Sequence, residues 1–241
     1  MKDLLLGSIL SAMATGMGAL PILFFQNIAH KSRDFLLALT AGVMVSACTF
    51  SLIPTALEQG DILILTLGII LGVLLLTLLE STIPHVDLEH KNVKIESSSL
   101  LVLTAMTLHN IPEGISVGVS YAEQATDIGP LVAIAIGSQN FPEGFLVALF
   151  LIQQSISKMK AFLLASLTGV VEIFGALFGY MLSNTIEGLV PYGLSFAAGA
   201  MLFIVYKELI PESHGDGNAT SSTMGFIGGL LLMLYIIEIF G

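Results

Sequence analysis

The chain is poor in charged residues. Only 11% of its 241 residues are Asp, Glu, Lys or Arg, whereas a soluble globular domain carries about 25%. Hydrophobic residues make up 55%. They gather in stretches near the ~20 residues with which a helix crosses a bilayer, rather than in the shorter alternating segments of a β-barrel. The composition excludes a soluble fold and predicts an all-α, polytopic membrane protein.

Cysteine and basic residues are also scarce. Cys48 is the only cysteine, so the chain cannot form an internal disulfide or a CxxC motif, and we interpret this thiol as a packing residue. Eight Lys and Arg against 18 Asp and Glu give a net charge of -10, which argues against nucleic acid as a partner and is compatible with cations. Because no GxxxxGK[ST] motif is present, ATP is not expected to be the energy source in this chain.

Apolar runs between polar breaks predict eight transmembrane helices within one transmembrane domain, residues 1–241. The predicted spans are 3–26, 35–57, 61–83, 99–122, 128–153, 160–184, 189–210 and 222–240. The first, third and fifth loops contain the basic residues Lys31, Arg33, Lys91, Lys94, Lys158 and Lys160, and the second, fourth and sixth contain none. The positive-inside rule therefore predicts a multi-pass protein of the cell (inner or plasma) membrane with both termini extracytoplasmic.

An internal repeat relates the two ends of the chain. AGVM at 41–44 and LIP at 52–54 recur 157 residues later as AGAM at 198–201 and LIP at 209–211, and the same offset relates the GxxxG motifs at 68–72 and 225–229. Repeat one (3–83) thus recurs as repeat two (160–240), around central helices at 99–153. Five spans separate equivalent helices, so the copies are predicted to be inverted, as in many transporters. We interpret the GxxxG motifs as helix-packing sites.

The two central spans contain related hexapeptides, HNIPEG at 109–114 and QNFPEG at 139–144. Residues four apart share a helix face, so His109 pairs with Glu113 and Gln139 with Glu143. Pro112 and Pro142 also leave carbonyl groups in the preceding turn without their usual donor. An acid at the centre of a membrane costs roughly 2.5–3.5 kcal/mol, so these glutamates and Glu172 of the sixth span need compensation. Divalent cations would supply it.

The same groups could instead satisfy one another as neutral side chains in a polar core. The recurrence of the motif on a second helix favours metal binding. Imidazole with carboxylates suits zinc and its first-row neighbours, the absence of thiolate clusters argues against copper(I), and His109 argues against magnesium.

Taken together, the residues resemble the ZIP (Zrt-, Irt-like protein) family of metal-ion transporters, in its short prokaryotic form, over nearly the whole chain. HNIPEG and the second PEG match two signature helices of that family. TGVVEIFGA at 168–176 and AAGAMLFIVYKELIPESH at 197–214 are similar to the sixth and seventh spans.

The resemblance implies the ZIP fold and an intramembrane two-metal site. His109, Glu113, Gln139 and Glu143 would bind the first ion, and Asn110, Asn140, Glu143 and Glu172 the second. Gln139 stands where many members of the family have His, and Asn140 stands where some have Asp. A site with these amides is expected to accept a broader range of metal ions. Glu208 is a further candidate ligand, unless Lys207 pairs with it. His85 and His90, with Asp87 and Glu89, form a candidate ion-collecting cluster in the third loop, or an ordinary solvated loop.

The resemblance further implies transport of Zn²⁺, with Cd²⁺, Fe²⁺, Mn²⁺ and Co²⁺ as further candidates, toward the cytoplasm by alternating access. Helices one, four, five and six would carry the ion, in an elevator-like slide against the others, and a homodimer in the lipid bilayer would be the assembly. No organic cofactor and no enzymatic activity are expected. The alternatives are an intramembrane metal-dependent hydrolase, which would lack HExxH, a membrane metal sensor, and an organic-anion carrier, although no Arg lies within a predicted span.

Overall fold

The computed structural model of the chain describes residues 1–24, 29–82, 95–122, 128–215 and 217–240, and within these ranges it contains helices and no strand. The helices are α1 Lys2–Leu23, α2 His30–Gln59, α3 Ile62–Thr82, α4 Ile95–Ser120, α5 Ile128–Gln153, α6 Lys158–Thr185, α7 Leu189–His214 and α8 Ala219–Phe240. The limits of the predicted spans fall within about five residues of these helix ends. The all-α prediction is therefore confirmed for the described part of the chain.

Within the described part of the chain, seven of these helices are long and apolar enough to cross a bilayer. The helix outside this group is α4, which is interrupted by polar residues that include His109, Asn110 and Glu113. The helical, apolar character of the chain agrees with a multi-pass membrane protein. A membrane-spanning role for α4, and hence the count of eight, stays a prediction.

Large apolar side chains are exposed in stripes along the outer helices. On α3 and α6 these side chains recur every three to four residues, as Leu67, Leu71, Leu74, Leu78, Leu163, Leu167, Val170, Phe174, Phe178 and Met181. A soluble protein seldom exposes an apolar surface of this extent. The same surfaces suit the acyl chains of a bilayer. The polar residues that the sequence singles out as candidate metal ligands on α4, α5 and α6 are buried instead.

The helices pack most extensively in the pairs α2 with α8, α3 with α7, α4 with α6 and α1 with α5, and α1 also packs along α6. Glycine makes the close approaches possible. A Cβ at Gly72 would overlap the carbonyl oxygen of Phe196 on α7, and one at Gly229 would overlap that of Leu39 on α2. The interpretation of the two GxxxG motifs as helix-packing sites is confirmed. Cys48 is buried, with its thiol sulfur 3.8 Å from the carbonyl oxygen of Ala198, as expected of a packing residue.

Two π-helical segments, Cys48–Leu52 in α2 and Val205–Leu209 in α7, were not predicted. Each lies directly before an Ile-Pro pair, which contains Pro54 or Pro211. A proline has no N–H to donate, and its ring clashes with the carbonyl group four residues earlier, so an extra residue in the turn relieves the conflict. The helix continues beyond each segment, displaced by the wider turn.

The glycine packing predicts a sharp difference between neighbouring positions of α8. Gly229→Ala would force a methyl group against the backbone of α2, whereas a Cβ at Gly228 would meet no atom within 4 Å. Overpacking of this kind costs about 1–3 kcal/mol, and both substitutions gain the same helix propensity. We expect Gly229→Ala, but not Gly228→Ala, to lower the thermal unfolding midpoint of the purified protein. Equal midpoints for the two variants would contradict the packing described.

Candidate metal centre

The polar residues of the two hexapeptides lie in the interior of the bundle. His109, Asn110, Glu113, Gln139, Asn140, Glu143 and Glu172 are each no more than 6% exposed. Pro112 and Pro142 lie within α4 and α5, which continue as helices through both residues. The seven residues predicted from the sequence as metal ligands are therefore all buried, and they lie on three helices that pack against one another.

The glycines of the two PEG motifs bring these helices close together. A Cβ at Gly114 would overlap the carbonyl oxygen of Glu172, so α4 approaches α6 at the level of that glutamate. A Cβ at Gly144 would likewise overlap the carbonyl oxygen of Thr15, so α5 approaches α1 at the residue after Glu143. Each glycine directly follows its glutamate, so each close backbone approach lies next to a candidate ligand in the sequence.

The first group of donors lies between α4 and α5. The side-chain amide of Gln139 donates a hydrogen bond to Glu113 Oε1. Glu113 Oε2, Gln139 Oε1 and Glu143 Oε1 are buried and have no hydrogen-bond partner among the described residues. Buried polar atoms normally have partners, because leaving one unpaired costs about 1–3 kcal/mol. A divalent cation bound to these three oxygens would provide the partner that each of them lacks among the described residues.

His109 connects this group to α7. Its Nε2 lies 3.7 Å from Glu208 Oε2, and the Glu208 side chain is 44% exposed. The structure thus places Glu208 beside the candidate site, between a buried imidazole and a more accessible region. Lys207, the proposed alternative partner of Glu208, has its amine 5.3 Å from the centre of the Phe203 ring.

The second group is formed by α5 and α6 with α1. Asn140 Nδ2 is 2.8 Å from both carboxylate oxygens of Glu172, and Ser11 Oγ donates to Glu172 Oε2 at 2.9 Å. Thr15 Oγ1 lies 3.5 Å from Glu172 Oε1. Asn140 Oδ1 is buried without a hydrogen-bond partner among the described residues. Glu172 is therefore held in place by hydroxyl and amide donors.

If they were ionised together, the three buried carboxyl groups would repel one another. Glu113 would be repelled by the charges of Glu143 and Glu172, and Glu143 by those of Glu172 and Glu208. Such repulsion in a region shielded from water is unfavourable unless a cation or a proton offsets it.

In the described part of the chain, no three His, Cys, Asp or Glu side chains converge as a metal site by themselves. Three of the seven predicted ligands, Asn110, Gln139 and Asn140, are amides. The first predicted set also contains His109, Glu113 and Glu143, and the structure does not bring these three side chains together as a metal site by themselves. The assignment of ligands to two ions stays a prediction. His85 and His90, with the rest of the third-loop cluster, lie outside the described residues.

Sequence reasoning missed Ser11 and Thr15, the α1 hydroxyls beside Glu172. A serine or threonine in a helix usually bonds to a carbonyl group of its own preceding turn, as Ser8 does to Leu5 at 3.3 Å, so the residue type carries no signal. The 157-residue offset of the repeat does pair Thr15 with Glu172. That pairing was the available indication that α1 reaches the site.

Comparison with known proteins decides the family. A sequence model of the family described as ZIP zinc transporter matches residues 87–237, which include both signature helices and Glu172. The chain belongs to the ZIP zinc transporter family. The resemblance drawn from HNIPEG and the second PEG is thus confirmed.

Relatives extend this ZIP assignment along the chain. It is 40% identical to the zinc transporter GufA of Myxococcus xanthus, with 96% of each protein covered. It is 35% identical to the zinc transporter ZIPB of Bordetella bronchiseptica, over 96% of this chain and 79% of that protein. Identity to the zinc transporter ZupT of Streptococcus mutans is 31%, over 96% of this chain and 95% of the relative.

The unpaired oxygens predict that zinc stabilises the fold. A ligand at about one hundred times its Kd adds about 2.7 kcal/mol to the free energy of unfolding. We expect zinc to raise the thermal unfolding midpoint of the purified protein, and a chelator to reverse the rise. Glu143→Gln should reduce the rise, because it replaces a buried carboxylate of the site.

Glu238→Gln is the control, because it removes the same charge from the exposed end of α8. An equal zinc-dependent rise in the wild type and both variants would contradict the location of the site.

Proposed function

We propose that the chain carries divalent transition-metal ions, zinc foremost, across a cell membrane toward the cytoplasm. The observation that carries the proposal is the set of buried oxygens of Glu113, Gln139, Glu143 and Asn140 that have no hydrogen-bond partner among the described residues. They lie inside an apolar helical bundle whose relatives are named zinc transporters. A buried donor set without an internal partner suits an ion that arrives and leaves.

The proposed site holds two ions. His109, Glu113, Gln139 and Glu143 bind the first, and Asn110, Asn140, Glu143 and Glu172 bind the second, with Glu143 shared. Imidazole, amide and carboxylate donors suit zinc and neighbouring first-row ions. With amides at 139 and 140 in place of stronger ligands, the site would hold zinc less tightly and also accept Cd²⁺, Fe²⁺, Mn²⁺ or Co²⁺. Weaker binding favours release, which a transporter needs.

The bundle is proposed to be an inverted repeat in which α1–α3 recur as α6–α8. The 157-residue offset relates the π-helical segments Cys48–Leu52 and Val205–Leu209 residue for residue. It also relates the contact of Gly229 with Leu39 to that of Gly72 with Phe196.

The pseudo-symmetry extends to the site. Gly114 contacts the Glu172 backbone, and Gly144 contacts the Thr15 backbone. The 30-residue offset of the hexapeptides relates Gly114 to Gly144, and the 157-residue offset relates Thr15 to Glu172, so the two contacts correspond if α4 and α5 exchange places. These correspondences support a pseudo-twofold axis through the first metal site. An axis of this kind suits a protein that alternates between two related states.

Ion movement is proposed to follow alternating access, with α1, α4, α5 and α6 sliding against the remaining helices. Glu208, half exposed and 3.7 Å from His109, would receive the ion as it leaves the first site. By the positive-inside rule this end of α7 faces the cytoplasm, as do the odd-numbered loops. A homodimer is the proposed assembly.

Transport is tested by uptake of radioactive zinc into proteoliposomes that contain the purified protein. We expect saturable uptake by the wild type and by Glu238→Gln, and background uptake by His109→Ala/Glu143→Ala, which removes ligands of the first site. Cadmium, manganese and iron(II) as competitors would rank the ions. Equal flux in the double variant and the wild type would contradict the assigned site, and zinc binding without flux in the wild type would contradict transport.

The orientation is tested by single cysteines in a Cys48→Ala background. Ser157 and Glu187 are exposed positions in the fifth and sixth loops. With a membrane-impermeant maleimide, we expect labelling at 187 in intact cells and labelling at 157 only after the membrane is opened. The reverse pattern would place the termini in the cytoplasm.

A further inference from the structure

We propose that Ser11 of α1 is a positioning residue for the second metal ion, acting through Glu172 and Asn140. The inference rests on the transport function proposed above and assigns to it a residue outside the expected ligand set. Ser11 is 2% exposed and lies where α1 packs against both α5 and α6.

Ser11 contacts both side chains that would bind the second ion. Its hydroxyl group donates to Glu172 Oε2 at 2.9 Å. The side-chain amide of Asn140 lies 3.2 Å from Ser11 Oγ and 3.2 Å from the Ser11 carbonyl oxygen. One residue of α1 therefore joins the carboxylate of α6 to the amide of α5.

These contacts determine which atom of Asn140 faces a cation. The Asn140 side chain has an NH2 group that donates hydrogen bonds and a carbonyl oxygen that accepts them. Only the oxygen can bind a metal ion. Nδ2 is directed at three acceptors, the Glu172 carboxylate and the carbonyl and hydroxyl oxygens of Ser11. Oδ1 is thereby left buried and without a hydrogen-bond partner among the described residues. Ser11 holds the amide in the orientation that presents an oxygen ligand.

The same hydroxyl group holds Glu172. A carboxylate in an apolar interior is stabilised by each donor aimed at it, and a fixed carboxylate loses less freedom when it binds a metal. Thr15 contributes a longer contact of 3.5 Å, so Ser11 provides the shorter of the two α1 hydroxyl contacts. Removal of a residue that hydrogen-bonds to a metal ligand commonly lowers metal affinity by about 10–100-fold.

A purely structural role for Ser11 would affect the fold and both ions alike. Ser8 distinguishes the two roles, because it is a serine of the same helix, is 1% exposed and bonds within α1 to the Leu5 carbonyl oxygen. Ser11→Thr keeps the hydroxyl group.

The experiment is a zinc-binding isotherm of the full chain in lipid nanodiscs for wild type, Ser11→Ala, Ser11→Thr and Ser8→Ala, with thermal unfolding midpoints recorded in parallel. For Ser11→Ala we expect an unchanged first zinc and a second zinc bound at least about tenfold more weakly. Ser11→Thr and Ser8→Ala should bind both ions within about twofold of the wild type. Thr15→Val should show a smaller loss in the same direction, and it provides the test if Ser11→Ala does not fold.

A second readout is the concentration dependence of zinc uptake. Because Ser11→Ala leaves the first site intact, we expect its half-saturating concentration to change by more than its maximal rate. The inference would be overturned if Ser11→Ala bound two zinc ions as tightly as the wild type does, or if it lost affinity equally at both sites. An equal loss of zinc affinity in Ser8→Ala would also overturn it. So would a wild type that binds one zinc ion, although transport through the first site would stand. Failure of transport itself would appear instead as wild-type protein that binds zinc without taking it up.

Discussion

The structure depends on the cost of placing carboxyl groups inside a membrane. Glu113, Glu143 and Glu172 are buried in a bundle with an apolar outer surface, where each acid costs roughly 2.5–3.5 kcal/mol. The protein reduces that cost only in part. Gln139 bonds to one oxygen of Glu113, and Ser11 and Asn140 bond to Glu172. The remaining buried oxygens of Glu113, Gln139 and Glu143 have no hydrogen-bond partner among the described residues, and they are the basis of the proposed cation site.

Close helix packing makes this arrangement possible. Gly114 and Gly144 allow α4 and α5 to touch the backbones of α6 and α1, and Gly72 and Gly229 do the same for the outer pairs. Glycine is costly within a helix in water, but in a bilayer it allows the dispersion contacts and short polar distances that hold helices together. The glycines next to the glutamates therefore contribute to the fold and to the site at once.

Much of this was predictable from the sequence. The spans follow from apolar runs, because hydrocarbon thickness fixes helix length. The hexapeptides and Glu172 stood out because polar residues in such runs require a reason. The two GxxxG motifs were identified by their spacing and their recurrence. Family membership followed from the same motifs and was confirmed over most of the chain.

The parts that were not predicted depend on tertiary contacts. Ser11 and Ser8 are the same residue type, three positions apart on one helix, and only the approach of α6 gives the first a partner in Glu172. The π-helical segments were also missed. Pro112 and Pro142 lie in helices that continue without a π segment, whereas Pro54 and Pro211 follow one. Leu-Ile precedes Pro54 and Pro211, whereas Asn-Ile and Asn-Phe precede Pro112 and Pro142, so the available signal was this shared tripeptide and not the proline alone.

The central claim is that the buried donors of α4 and α5 bind zinc. Anomalous diffraction at the zinc absorption edge, from crystals grown with zinc, tests it most directly. The account predicts an anomalous peak between Glu113, Gln139 and Glu143, within bonding distance of their oxygens. A peak confined to surface residues, with none among these buried side chains, would contradict it.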